Sequence, residues 1–135
     1  MTESANIQFD GERKAIVTYT ATIASTTAEN YTFDIASFNA SGLNGKAVTR
    51  LDINRAWFNV SATAPAAAMT IEWSSSGTNE LALTAIYSGE YDFTSIGGLV
   101  NPEPTDWDGK IKILFNSVTN GDTCSIVLEL LKRYT

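Results

Sequence analysis

The sequence has no histidine and only one cysteine. Without histidine there is no Ser-His-Asp or Cys-His triad, no imidazole-ligated metal and no side chain that ordinarily titrates near neutral pH. With Cys124 alone no intrachain disulfide can form, and its place in an apolar run reads as a small buried side chain, not a reactive thiol. Long apolar runs are also missing, since none approaches the ~18 residues of a membrane-spanning helix. Met1-Thr2-Glu3-Ser4-Ala5 has neither a basic n-region nor an apolar h-region, so a soluble protein made in a cytoplasm without a signal peptide is expected. Positive charge is the minority: nine Lys and Arg stand against fifteen Asp and Glu, for a net charge of −6 and a pI near 4.5. That balance opposes phosphate backbones, so no nucleic-acid partner is expected. The densest basic group, Lys110, Lys112, Lys132 and Arg133, is expected on neighbouring strands as a small solvated face.

What is present is enough for one domain. A chain of 135 residues with 44% hydrophobic residues can bury a core that needs neither disulfide nor metal, and we read residues 1–135 as a single unit with residues 1–5 flexible. Period-two alternation in short runs separated by turn residues dominates the pattern, as in half-buried antiparallel strands. Val17, Tyr19, Ala21 and Ile23 alternate with Thr18, Thr20 and Thr22; Tyr31, Phe33 and Ile35 follow after a polar turn. Ala47, Thr49, Leu51 and Ile53 share one face, then Ala56, Phe58 and Val60 take it over, and such a parity change marks a bulge or corner. Met69, Ile71 and Trp73 form the next run, then Leu81, Leu83 and Ala85, which Ile86 to Phe93 would continue. Residues 62–68 read as a loop with room for one helical turn, and Thr94 to Gly109 as the longest irregular stretch. At the end, Ile111, Ile113 and Phe115, the turn Asn120-Gly121, and Cys124, Ile126, Leu128 and Leu130 predict a paired hairpin. About eight strands at this spacing predict an all-β antiparallel sandwich, jelly-roll-like. Val127 and Leu131 make the last strand apolar on both faces, so either it is covered twice or its outer face meets another subunit, the reading we favour.

Chemical constellations are sparse. Glu90, Asp92, Glu103, Asp106 and Asp108 could converge on calcium, which takes six to eight oxygen ligands, but the further ligands and the distal Glu of a helix-loop-helix site are missing, and we read them as solvated loop carboxylates. Glu90 and Asp92 could be posed as a glycosidase pair, without any inferable cleft. No catalytic, metal or cofactor site is therefore assigned. Trp57 and Trp73 read as core or sandwich-edge residues, whereas Trp107, between Asp106 and Asp108 in a proline-containing loop, reads first as a staple packed against the sandwich end and otherwise as the candidate for stacking on a sugar or anchoring an interface. Three Asn-X-Ser/Thr triplets, at Asn30, Asn39 and Asn59, are expected by chance in so Ser/Thr-rich a chain.

The terminal segment Gly121-Asp122-Thr123-Cys124-Ser125-Ile126-Val127-Leu128-Glu129-Leu130-Leu131-Lys132 resembles the closing strand of small β-sandwich virion proteins encoded among the head genes of tailed bacteriophages. The Trp73 strand, Gly89-Glu90-Tyr91-Asp92-Phe93 and Asp108-Gly109-Lys110-Ile111 are similar to the same group, so the likeness spans roughly residues 46–132; Cys124 stands where that group's pattern has an aromatic residue. The resemblance implies a capsid decoration or cement protein: non-enzymatic, located on the virion surface, binding the major capsid protein and itself as a homo-oligomer, a trimer in such systems. Val127 and Leu131 would then supply the subunit contact, with Trp107, Asp106 and Asp108 as further interface candidates. A carbohydrate- or receptor-binding module, on a phage tail or free-standing, is the alternative.

Overall fold

A computed structural model describes residues 2–24, 30–34, 37–38, 46–75, 80–100 and 107–134. Its strands are β1 (Thr2–Asp10), β2 (Lys14–Thr22), β3 (Asn30–Phe33), β4 (Arg50–Ser61), β5 (Ala68–Ser75), β6 (Glu80–Ala85), β7 (Ser88–Asp92), β8 (Trp107–Asn116) and β9 (Thr123–Arg133). They form two antiparallel sheets, one of five strands in the order β1-β2-β9-β4-β7 and one of four in the order β3-β8-β5-β6. The all-β sandwich read from the alternation is therefore what the chain adopts. The inward residues of the long runs, Val17 and Tyr19 on β2, Ile71 and Trp73 on β5, Ile111 and Ile113 on β8, Leu128 and Leu130 on β9, are all essentially inaccessible and meet between the sheets.

The parity change in β4 is a bulge. Ile53 pairs with Leu130 and Arg55 with Glu129, leaving Asn54 as the extra residue, so Leu51 and Ile53 before it and Ala56 and Val60 after it all face the core. Beyond the bulge β4 changes its outer neighbour: Arg55 to Asn59 pair with β7, whereas Ile53 exchanges both backbone hydrogen bonds with Leu99.

The expected terminal hairpin does not form. β8 pairs with β3 and β5, and β9 pairs with β2 and β4, so the two strands lie in different sheets. A tight hairpin of the Asn-Gly kind needs positive φ at both central residues, and here only Gly121 has it, at +92°, with Asp122 N–H donating to the Thr119 carbonyl. That is the pattern of a type II turn, whose twist splays the flanking strands instead of pairing them. Ser117, at φ +56°, has already turned the chain out of β8. The buried Asp122 carboxylate holds the corner by accepting from the backbone N–H of Thr119 at 2.8 Å and of Thr63 at 3.4 Å.

The solvated basic face fails with the hairpin. Lys110 and Lys112 lie on β8 and Lys132 and Arg133 on β9, and the Lys132 side chain is fully buried, ion-paired with Asp10 and donating to the Phe38 carbonyl at 3.0 Å. Ile86 to Phe93 is likewise no continuation of β6: Ile86 and Tyr87 carry the chain across to β7 in the other sheet, with Tyr87 at φ +60°. At the other end of the chain, the stretch expected to be flexible enters strand β1 at Thr2. Among the described strands β1 pairs only with β2, and from Glu3 to Phe9 every residue but Ala5 is exposed.

Candidate interaction surfaces

Register places the outward side chains of the five-stranded sheet in rows. One row runs Asn6, Thr18, Val127, Trp57, Glu90 across all five strands, because these residues are successive Cα partners. Val127 and Trp57 are each half-buried at its middle, and the Arg55 guanidinium lies 5.0 Å from the centre of the Trp57 ring. Trp57 thus belongs to the outer face, since the bulge at Asn54 puts Arg55, Trp57 and Asn59 on the side opposite Ala56. Trp73, by contrast, is core.

Leu131 has a different environment from Val127. A side chain on Gly98 would come within 3.0 Å of Leu131 Cδ1, and Gly98 has φ +104°, so the segment before Leu99 lies on Leu131 as only glycine permits. On the outer face of β9, Leu131 therefore has a segment from elsewhere in the chain against it, while Val127 has Trp57 beside it, and the two are half-buried alike.

Charged groups crowd the same end of the sheet. Asp52 is fully buried between Arg50, 2.8 Å away, and Arg133, 2.7 Å away, and Arg133 also donates to the Gly97 carbonyl. Glu129 accepts from the Asn54 amide at 2.7 Å and pairs with Lys14 at 3.1 Å. Burial alone would raise the Glu129 carboxyl, but Asn54 and Lys14, with Arg55 nearby, outweigh it and hold the pKa below the ordinary value. With Lys110 on Asp34 and Arg55 on Asp92, at least six of the nine cationic side chains are engaged in ion pairs with acids among the described residues.

The carboxylates considered for calcium are divided between the sheets. Glu90 and Asp92 are on β7 of the five-stranded sheet and Asp108 on β8 of the other, while Glu103 and Asp106 lie outside the described residues. Among the described residues no group of three or more potential ligands comes together. Asp92 accepts from the Thr94 hydroxyl at 2.7 Å and its N–H at 2.9 Å, contacts that lower its pKa, whereas a general acid needs it raised. Trp107, expected in a loop, is the first residue of β8 and pairs with Ser75. Cys124 is buried beside Asp122, and desolvation pushes its thiol up to about 11, the direction of an inert side chain. No helix of the described residues is long and apolar enough to cross a membrane.

No family model, curated protein or solved structure matches the chain. Its surfaces are therefore read on their own chemistry.

Proposed function

We propose that the chain is a non-enzymatic virion structural protein of tailed bacteriophages, a capsid decoration or cement protein that binds the outer head surface and bridges neighbouring capsomers. The observation that carries this reading is the strand order. Without β1, the order β2-β9-β4-β7 over β3-β8-β5-β6 fits the interlocked Greek keys of a jelly roll, an architecture used by viral capsid and lectin domains. The segment that resembles phage head proteins supplies β4 through β9, the central strands of both sheets among them. Charge supports an outer position: a molecule of net charge −6, with most cations already engaged by its own acids, has little to offer packaged DNA. A homo-oligomer whose copies each span two shell subunits would resist internal pressure through avidity, each modest contact reinforcing the next. Val127, with Trp57 beside it, and Leu131 lie half-buried on the β9 outer face and are the subunit contact this reading uses.

The test is a cryo-EM map of the virions that carry the protein. Regular density between capsomers on the head supports the assignment; density confined to the tail tip, or none, removes it. A second reading, a carbohydrate- or receptor-binding module, is favoured by the half-buried Trp57 on an open sheet face and by the architecture shared with lectins. A glycan array that gives a signal lost in Trp57→Ala or Trp107→Ala would move the assignment there.

A further inference from the structure

Asn120-Gly121 sits at the corner that carries the chain from one sheet to the other, and the same dipeptide is chemically labile. The backbone nitrogen after an asparagine can attack the carboxamide carbon, and a following glycine has no Cβ to obstruct it. Here the approach is open. Asn120 and Gly121 are both exposed, and nothing beyond its chain neighbours lies within 4 Å of where a Gly121 Cβ would stand. What the fold controls is the nucleophile. The Gly121 N–H donates to the Ile23 carbonyl at 2.7 Å and the Ile23 N–H to the Asp122 carbonyl at 2.8 Å, a reciprocal pair that ties the turn to the chain just beyond β2. A nitrogen that must lose its proton before it attacks is held back while that proton is hydrogen-bonded. The buried Asp122 carboxylate closes the corner from within, accepting from the Thr119 and Thr63 N–H groups.

We propose that Asn120 is a site of spontaneous deamidation gated by this corner, locked while Gly121 is bonded to Ile23 and reactive each time that bond opens. In the open corner the Gly121 nitrogen, its proton passed to hydroxide, bonds to Asn120 Cγ, and the Cγ–Nδ2 bond breaks with release of ammonia to leave a five-membered succinimide. Water then opens the ring at either carbonyl. Attack at Cγ breaks its bond to the Gly121 nitrogen and gives aspartate; attack at the Asn120 main-chain carbonyl gives isoaspartate, whose chain runs through Cβ. The sum consumes one water and releases one ammonia, with no oxidation or reduction. Both products place a new carboxylate two residues from the buried Asp122, and isoaspartate adds a carbon to the main chain where the Gly121–Ile23 and Asp122–Thr119 hydrogen bonds fix its length. A corner modified in this way does not reclose as before, so the reaction turns a reversible opening at the entry to β9 into a permanent one. This holds whatever the protein binds.

The test incubates the full chain, native and unfolded in guanidinium chloride, at the same mildly alkaline pH. Fragmentation of the tryptic peptide Ile113–Lys132 by mass spectrometry then separates Asn120 from Asn116 and aspartate from isoaspartate. Asn120 is expected to react at least about tenfold faster in the unfolded chain than in the native one. Hydrogen exchange of the Gly121 amide, measured on the native protein, should be slowed by no larger a factor than deamidation is, because both need the same bond broken. Asp122→Ala, which frees the Thr119 and Thr63 N–H groups, should raise the native rate at Asn120 about tenfold, whereas Ile96→Ala, at an exposed site elsewhere, should leave it unchanged. Equal rates in the native and unfolded chains, a native reaction slowed less than exchange of the Gly121 amide, or indifference to Asp122→Ala overturns the gating. Absence of product at Asn120 in the unfolded chain overturns the site itself.

Discussion

The Lys132 ammonium ties three segments together, and its partners differ in how much water they see, so removing the two charges should not cost the same. Lys132 is on β9 with its side chain wholly inaccessible, Asp10 ends β1 at 21% exposure, and the Phe38 carbonyl lies between β3 and β4. In Asp10→Asn the buried ammonium keeps one neutral carbonyl and loses its counter-charge, and uncompensated buried charges of this kind cost about 3–5 kcal/mol. Lys132→Met keeps the aliphatic stem and leaves two orphans, a partly hydrated carboxylate and one carbonyl, for about 1–3 kcal/mol. The double variant Asp10→Asn/Lys132→Met should recover part of the loss of Asp10→Asn, with a coupling energy of about 1–3 kcal/mol. Urea unfolding followed by tryptophan fluorescence, with a common slope for all four proteins, measures the cycle. If Asp10→Asn falls within about 0.5 kcal/mol of the parent, or costs less than Lys132→Met, the ammonium is not held as described.

Three further outcomes can be measured on the parent and on other single variants. Leu128→Ala, at a site closed to solvent between the sheets, should cost about 2–5 kcal/mol, whereas Ile96→Ala, mostly exposed, should stay within about 0.5 kcal/mol; similar losses would contradict the core assignment. Glu129 has a folded pKa below its ordinary 4.5, so its stabilisation is present above that value and lost as the pH falls through the folded one. The urea midpoint of Glu129→Gln should therefore drop less than the parent's between about pH 6 and about pH 3, and parallel curves would refute the Asn54 and Lys14 contacts. Cys124 should resist thiol-specific labelling at mildly alkaline pH until denaturant is added, because its thiol is buried and titrates at about 11; stoichiometric labelling of the native protein within seconds would refute this.

The sheets were legible because burial on one face writes itself into alternate residues, and the bulge in β4 was legible because it interrupts that alternation. Partnership was not legible. Alternation says which face a strand buries but not which strand lies beside it, and the turn that decides β8 against β9 depends on the φ of Asn120, which the dipeptide Asn-Gly permits without requiring. β1 carries a short alternation, Ala5, Ile7 and Phe9 against Asn6, Gln8 and Asp10, but the polar, acidic residues that precede it read as a flexible end, and most of its residues stay exposed. The engagement of Lys132 with Asp10, 122 positions away in the chain, is invisible to any local pattern.

The surface candidates follow the same logic. Val127 and Leu131 were read together because they share parity, and on β9 they do share a face. What separates them is a segment from elsewhere in the chain, where Gly98 takes a backbone conformation that lets it lie on Leu131. On β4 that face is continued by Trp57, a residue whose outward direction depends on the bulge at Asn54, three positions earlier. Were the same residues, Asn54 included, paired regularly with no bulge, Trp57 would keep the parity of Ile53 and enter the core, and Ala56 would leave it. A bulge that costs one ladder position thus decides whether this surface carries an indole beside Arg55 or an alanine, and it is on this side chain that the proposed contact depends.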